Sequence, residues 1–420
     1  MAATNYPQYV DGAAEAVGLS SVGLGRLSWL LDRYVDGGRY AGVVSMVARR
    51  DRVVHCETHG LMDIEAGRAM QPDAIFRIAS LTKPIASVAL MTLYEEGRFQ
   101  LDDPVARYIP QFAELRVLAG GTADQFTTRP PSRSMTIRDL LTHTSGLVGG
   151  GPANVAGELY HRAGLRVPNR MWPAVPGTIE AMVETLATLP LDCDPGAEWN
   201  YGVSTDVIGY LCEVLSGVPF DEFLRRRIFE PLGMPDTGFS VAPAKAERLA
   251  AAYRFTPEGP TPLALMDAPA ASPFLGTPTF FSGNGGLAST VPDYLRFARM
   301  LARGGELDGA RILGSRTLRL MTANHLPEGR DIAAMGQPEF GGKSMAGTGF
   351  GLGFAVLLDP VRAGVVGTPG EYYWVGGYST FFFVSPGEDL VALCFAQLSP
   401  WSSYPIEHEL RATIYGAIID

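Results

Sequence analysis

Apolar and polar positions along the chain predict strands near both ends and helices between them. Residues 41–60 form two runs rich in β-branched side chains around Arg50 and Asp51, a pattern that predicts a β-hairpin. Short apolar runs divided by turn residues predict further strands, at residues 350–358, 372–374, 380–384 and 390–396. This distribution favours one antiparallel sheet to which both ends of the chain contribute.

The middle of the chain carries helical patterns. Residues 80–97 are apolar on nearly every side, which is typical of a buried helix. Pro84 falls in the first turn, where a missing N–H donor costs little, and Gly97 follows the last turn. Residues 204–217 have a single apolar face and predict a second helix, with Ser204 suited to cap its N-terminus.

The remaining pattern completes an α/β architecture. Further helices are predicted at residues 136–141, 292–304 and 407–419. Residues 148–180 have weak periodicity, and we expect them to form a long functional loop. We expect residues 1–79 and 285–420 to form an α/β domain around the central sheet, and residues 80–284 to form a mostly helical inserted domain.

Composition and charge narrow the class of protein. Of the 420 residues 46% are hydrophobic and 19% charged, which is ample for a core without disulfides. The net charge of −10 argues against a nucleic-acid partner. Neither a secretory signal nor an uncharged apolar run of eighteen residues is found, so we expect a cytoplasmic protein with no membrane partner. The cysteines are far apart and are expected to be buried thiols.

Motifs for metals and nucleotides are absent. The sequence has no HExxH or CxxC pattern, and its six histidines are scattered, so we expect no metal site. GxGxxG and P-loop patterns are also missing, so no cofactor is expected. The GxSxG pattern of α/β-hydrolases does not occur either.

A serine and a lysine stand three residues apart at the start of the buried helix. This spacing puts the side chains of Ser80 and Lys83 on one helix face, and the orphan N–H of Ser80 could bind an oxyanion. Only three lysines occur in the chain, and this one lies in an apolar stretch, where a buried amine needs a partner or a shifted pKa. The alternative is a lysine with no chemical role.

Two further segments could complete such a site. Tyr201 precedes the second helix; either the Lys83 amine or a Tyr201 phenolate could be the base, although a tyrosine in this position is more often a core residue. Glycines at 376 and 377 would let a strand approach a ligand closely, with the Gly377 N–H as the second oxyanion donor. The alternative is an ordinary aromatic strand with a glycine bulge.

Taken in order, these motifs resemble the serine β-lactamase and penicillin-binding superfamily, and most of all the family VIII carboxylesterases, which are similar to class C β-lactamases. The matching stretches are FRIASLTKP (76–84), LLTHTSGL (140–147), DPGAEWNYGVSTDVIGYL (194–211) and GEYYWVGG (370–377). The resemblance implies Ser80 as nucleophile, Lys83 as its amine partner and Tyr201 as the tyrosine of Tyr-x-Asn. It also implies a β-lactamase/transpeptidase-like fold with the site between the two domains, and a structural role for His143.

The chain departs from the superfamily pattern at three positions. Val203 stands where Tyr-x-Asn has its asparagine, and Trp374 stands where lactamases carry the lysine of Lys-Thr-Gly. These changes remove an amide-gripping side chain and a cation for a β-lactam carboxylate. Val375 replaces the middle glycine of the esterase motif Trp-Gly-Gly and is expected to narrow the cleft. The departures at 203 and 374 therefore point toward neutral esters.

We accordingly expect a serine carboxylesterase for small esters with short acyl chains. The expected substrate contacts are Tyr373, Trp374, Val375, Gly376 and Tyr378, although core packing is an equal alternative for the aromatic ones. An acyltransferase, an amidase or a weak β-lactamase could use the same Ser80, Lys83 and Tyr201. An inactive homologue that binds a ligand is the alternative from another class.

Overall fold

The computed structural model describes residues 3–151, 154–165, 177–258 and 261–420. Within these ranges a nine-stranded antiparallel sheet forms the centre of the molecule. Its strands, in spatial order, are Thr4–Asn5, Arg52–Asp63, Gly42–Arg49, Leu390–Phe395, Thr380–Ser385, Tyr372–Gly376, Ala355–Leu357 and Thr348–Phe350, with Arg68–Ala69 paired to the second. The expected sheet built from both ends of the chain is confirmed.

Helices cover both faces of this sheet. The helices Ser21–Asp36 and Ile406–Tyr415 pack on one face, and Val291–Ala302 packs on the other. Because both faces are covered, every residue of the strand Gly42–Arg49 is buried, and most of its side chains are apolar on both faces. The fold is therefore a layered α/β structure, as expected.

Along the chain, a largely helical region separates the N-terminal strands of the sheet from its C-terminal strands. Its helices are Thr82–Glu95, Ile137–Leu141, Val155–Arg162, Ile179–Ala187, Ser204–Ser216, Phe220–Leu224 and Glu230–Leu232. It also contains the hairpin Val117–Gly121 with Phe126–Arg129, and the strands Ala252–Phe255 and Leu263–Asp267, to which Leu398–Ser399 adds.

Several short elements complete the described chain. The helices Ser315–Met321 and Pro360–Ala363 follow in the C-terminal part, with the paired strands Glu306–Leu307 and Ala310–Arg311 and the hairpin Glu339–Phe340 with Lys343–Ser344. Phe76–Arg77 pairs with Ala288–Ser289. No helix in the described ranges has the length and apolar character needed to cross a membrane.

The hairpin at residues 41–60 is confirmed, and its turn has a clear cause. Arg50 and Asp51 both have positive φ, 49° and 62°. This is the backbone of the two-residue turn that suits the twist of paired strands. Helix 204–217 is also confirmed, as Ser204–Ser216, and Gly217 ends it with φ 77°.

Three expectations about local structure were wrong. Ser204 does not cap its helix, because its hydroxyl pairs with that of Ser145 at 2.9 Å. The strand expected at 350–358 is two strands, because Gly351 and Gly353 form a turn whose close packing leaves no space for a Cβ. The loop expected at 148–180 contains the helix Val155–Arg162, which Asn154 caps; residues 152–153 and 166–176 lie outside the described ranges.

Candidate active site

Ser80 lies in a tight turn between a strand and the buried helix. The short 3-10 turn Ala79–Leu81 links the strand Phe76–Arg77 to the helix Thr82–Glu95. Ala79 has φ 45°, a conformation that a non-glycine residue rarely adopts and that is often found at functional sites. Ser80 itself is partly accessible, whereas the first twelve residues of the helix are buried. The turn therefore presents one hydroxyl to solvent from a rigid element.

The strand Tyr372–Gly376 ends against this turn. A Cβ at Gly376 would overlap the carbonyl oxygen of Ile78, so only glycine fits there. Thr380, in the next strand, donates a hydrogen bond from its hydroxyl to the same oxygen at 3.1 Å. At Gly377 a Cβ would lie 3.9 Å from the Cβ of Ala79, an ordinary contact. The glycine pair thus brings this strand beside Ser80, and the partner of Gly376 is protein backbone rather than a ligand.

Lys83 is buried and directed at Ser80. Its Nζ lies 3.1 Å from Ser80 Oγ and donates to the carbonyl oxygen of Asn284 at 2.7 Å. The residue is only 2% exposed. Burial lowers the pKa of Lys83 to about 7, while the nearby carboxylate of Asp206 opposes this change. The amine therefore has a substantial uncharged fraction at neutral pH.

Tyr201 completes the arrangement that the motifs predict. The Lys83 Nζ lies 4.4 Å from the centre of its ring. Burial raises the pKa of Tyr201 well above 10, although interactions with Ser80 and Trp374 act in the opposite direction. The phenol is therefore protonated at neutral pH, which suits a proton donor better than a base.

Aromatic rings hold Tyr201 in place. Measured between ring centres, Trp199 stacks on it at 5.9 Å, Trp374 lies 5.5 Å away, and Phe340 meets it edge-on at 5.0 Å. His143 also packs against it, at 5.0 Å. Burial and the positive charge of Lys83 hold the pKa of His143 far below 6.5, so this histidine is a neutral packing partner.

Asp206 is a residue of the site that the sequence analysis did not single out. It lies in the first turn of Ser204–Ser216 and is fully buried. Its Oδ1 accepts hydrogen bonds from the hydroxyl of Ser282 at 2.6 Å and from the N–H of Asn284 at 3.0 Å. Burial raises its pKa to about 6, while the charge of Lys83 lowers it. Asp206 thus fixes the turn whose Asn284 carbonyl binds Lys83.

Two side chains expected to contact substrate face away from Ser80. Side chains alternate along a strand, and Trp374 faces Tyr201. Tyr373 and Val375 consequently pack on the opposite face of the sheet, where the guanidinium of Arg411 lies 4.3 Å from the Tyr373 ring. Val375 therefore does not narrow the cleft as expected.

Tyr378 has surroundings different from those expected. It packs against a small apolar cluster that includes Phe274, and burial raises its pKa to about 12, although the charge of Arg77 lowers it. Among the described residues, the structure brings together Ser80, Lys83, Tyr201 and Trp374, with Gly377 beside the serine turn. This set can activate a hydroxyl and deliver a proton, which are the requirements of acyl transfer.

Comparison with known proteins shows which family the chain belongs to. The chain matches the Beta-lactamase family over residues 28–415, and it belongs to that family. It is 32% identical over 405 residues to esterase EstB of Burkholderia gladioli, covering 93% of this chain and 95% of that protein. The resemblance inferred from the motifs is therefore confirmed.

Two solved structures have the same fold. EstCE1, described as a hydrolase with promiscuous acyltransferase activity, has a TM-score of 0.76 at 27% identity and covers 94% of this chain and 98% of its own. Simvastatin synthase (LovD) from Aspergillus terreus has a TM-score of 0.78 at 23% identity, with coverage of 94% and 98%. The second likeness concerns the fold alone.

Proposed function

We propose that this protein is a serine carboxylesterase that hydrolyses small neutral esters with short acyl chains through an acyl-enzyme on Ser80. The observation that carries the proposal is the buried Lys83 amine, 3.1 Å from Ser80 Oγ. A base must lie within hydrogen-bond reach of the proton it takes and must be uncharged at the working pH. Burial, which lowers the pKa of Lys83 to about 7, meets the second requirement.

In the first half-reaction Lys83 takes the proton of Ser80 as Oγ attacks the ester carbonyl carbon. The N–H groups of Ser80 and Gly377 stabilise the oxyanion of the tetrahedral intermediate. As the carbon–oxygen bond to the leaving alcohol breaks, the Tyr201 phenol gives that oxygen its proton and recovers one from the Lys83 ammonium. The products of this half are the free alcohol and an acyl ester on Ser80, with Lys83 again neutral.

In the second half-reaction a water molecule attacks the acyl-enzyme from the position that the alcohol has left. Lys83 takes a proton from the water that attacks the acyl carbon, and the tetrahedral intermediate collapses with release of the acid. Ser80 Oγ recovers a proton from the Lys83 ammonium, either directly or through Tyr201. Lys83 is assigned as the base because burial raises the pKa of Tyr201 far above neutral pH.

The test uses p-nitrophenyl acetate and butyrate. We expect Ser80→Ala to abolish turnover, a fluorophosphonate to label Ser80, and mass spectrometry of wild-type protein quenched during turnover to show the mass of one acyl group. Retained turnover in the variant, or label on another residue, would overturn the assignment. A protein with no acyl-enzyme and no label would instead be an inactive ligand-binding homologue.

Transfer of the acyl group to an alcohol is a second candidate function. The activity named for EstCE1 favours it, and the chemistry differs only in whether water or an alcohol attacks the acyl-enzyme. Adding 1-butanol to the p-nitrophenyl butyrate assay separates the two: an acyltransferase forms butyl butyrate faster than butyrate. An anilide and a chromogenic cephalosporin test amidase and β-lactamase action, which Val203 and Trp374 disfavour.

A further inference from the structure

A cavity lies behind the strand Tyr372–Gly376, on the side away from Ser80. Its volume is about 50 Å³, so it is narrow as the protein stands, with Phe340 in its wall. Much of its wall is apolar or aromatic, formed by Phe340, Met345, Trp374, Val375, Phe381 and Trp401. Nothing in the chemistry proposed above uses this space.

Phe340 bounds both the cavity and the candidate active site. Phe340 and Trp374 both line the cavity, and both pack against the ring of Tyr201, with ring centres 5.0 and 5.5 Å from its centre. The two rings also stack on each other at 6.0 Å with 23° between their planes. Trp374 lies in the central sheet, whereas Phe340 lies on a short hairpin and is only half-buried. Phe340 is therefore the part of the wall that a substitution can remove without disturbing the sheet.

The hairpin that carries Phe340 is held independently of this ring. Lys343, its partner in the hairpin, forms an ion pair with the buried Glu407 of the C-terminal helix. The amine of Lys343 also lies 4.5 Å from the centre of the Trp401 ring. A Cβ at Gly341 would overlap Trp401, so the turn of the hairpin packs tightly there. Loss of the Phe340 ring should consequently leave a gap rather than a collapsed hairpin.

Each charged group around the cavity lies beside an opposite charge, although the buried Nη2 of Arg411 has no hydrogen-bond partner. Lys343 pairs with Glu407, and Arg411 pairs with Glu371 at 2.8 Å. Burial lowers the pKa of His408 to about 4, so it is neutral at neutral pH. A ligand that fits this space is therefore uncharged and mainly apolar, because a buried charge would find no free counter-charge.

We propose that Phe340 sets the upper limit on acyl-chain length by closing this cavity to the acyl-enzyme on Ser80, and that the cavity accepts an unbranched aliphatic chain once the ring is gone. The inference rests on the proposed esterase function for its catalytic readout. It assigns Phe340 as a specificity-determining residue and the space lined by Val375 and Phe381 as a latent acyl subsite.

The experiment compares p-nitrophenyl acetate, butyrate, hexanoate and octanoate. The readout is the ratio of kcat/KM for hexanoate to that for acetate, taken within each variant so that overall losses cancel. We expect Phe340→Ala to raise this ratio at least tenfold, since each methylene that enters an apolar pocket is worth roughly that factor. Phe340→Leu should give an intermediate ratio. The matched control is Phe126→Ala, an exposed phenylalanine on another hairpin, which should not change the ratio.

A second substitution tests where the acyl chain of the substrate lies. Val375 lines the cavity from the opposite face of its strand, so Val375→Phe should refill the space. In the Phe340→Ala background it should return the ratio to the wild-type value. An unchanged ratio in Phe340→Ala, or a raised ratio that persists in the double variant, would overturn the proposal, because the chain would then lie elsewhere.

A binding measurement separates this inference from the esterase function. In the Ser80→Ala background, 2-octanone should raise the melting temperature saturably when Phe340→Ala is added, and should not do so when Val375→Phe is added as well. Saturable stabilisation without any ester turnover would overturn the proposed function alone. Ester turnover by the Ser80 protein without such stabilisation would overturn the latent subsite alone.

Discussion

The amine of Lys83 lies 4.4 Å from the centre of the Tyr201 ring. Both groups are buried, and burial disfavours the charged form of each: it lowers the pKa of the amine to about 7 and raises that of the phenol. The pair therefore carries a neutral amine that can accept a proton and a neutral phenol that can donate one. That division of labour has consequences that can be measured.

The first consequence is a rise of activity with pH. Lys83 is a base only when uncharged, and its uncharged fraction grows as the pH rises through about 7. We expect kcat/KM for p-nitrophenyl butyrate to rise about tenfold per pH unit below 7 and to level off above it. No fall is expected before pH 10, because Tyr201 stays protonated. Rates at pH 5 to 10, corrected for spontaneous hydrolysis, check this; a rate that falls between pH 6 and 8 would contradict it.

The second consequence is a difference between two variants. Tyr201→Phe removes the proton donor but leaves the Lys83 base, so kcat/KM should fall by about 10²–10⁴ while the rise with pH remains. Lys83→Met removes the base, so any residual rate should lose the rise near pH 7. The check is a pH profile of each variant. Loss of the rise in Tyr201→Phe, with its retention in Lys83→Met, would make the tyrosine the base.

Local patterns were sufficient to predict much of this molecule. The hairpin turn at Arg50 and Asp51 and the pairing of Ser80 with Lys83 depend on neighbours in sequence, so they could be predicted without the fold. The orientation of the side chains along the strand Tyr372–Gly376 could also have been predicted from the sequence. If Trp374 faces the nucleophile, alternation turns Tyr373 and Val375 away from it. The expectation that Tyr373 and Val375 contact substrate together with Trp374 overlooked this alternation.

Asp206 could not be placed in the same way. Its role depends on Ser282 and Asn284, which lie more than seventy residues away and meet it only in the folded chain. The sequence signal was an acidic residue at a position that turned out to be fully buried, next to the predicted apolar face of its helix. In a pattern analysis, a favourable interaction with the helix N-terminus accounts equally well for that carboxylate.

Gly376 and Gly377 should respond very differently to the same substitution. A Cβ at 376 would overlap the backbone of Ile78, whereas a Cβ at 377 would make an ordinary contact with Ala79. Gly376→Ala should therefore displace the Ser80 turn, lowering kcat/KM at least tenfold and the melting temperature by several degrees. Gly377→Ala is the matched control for stability and should melt like the wild type. Equal melting temperatures for both variants would show that the strand does not press on this turn.

Asp206→Asn should shift the pH profile toward acid. The Asp206 carboxylate raises the pKa of Lys83 against the effect of burial, so removing its charge lets that pKa fall. We expect the midpoint of the acid limb to move to lower pH. The asparagine oxygen can still accept from Ser282 and Asn284, whereas Asp206→Ala loses these bonds and should also lower the plateau rate. A midpoint that stays or moves up would contradict the electrostatic role.

Lys83 should also weaken the fold at neutral pH. Its pKa is about 7 in the folded protein, against 10.5 for a lysine exposed to water. Between pH 7 and 10.5 the Lys83 amine is therefore mostly protonated in the unfolded chain and mostly neutral in the folded protein. The free energy of unfolding contributed by this group therefore rises as the pH increases from 7 to 10.5. Lys83→Met, which keeps the volume and removes the charge, should be more stable than the wild type at pH 7 by up to a few kcal/mol. The difference should shrink toward pH 10. Urea unfolding of both proteins at pH 7, 8.5 and 10 measures it, and a difference that does not shrink as the pH rises would show that the amine keeps its proton in the folded state.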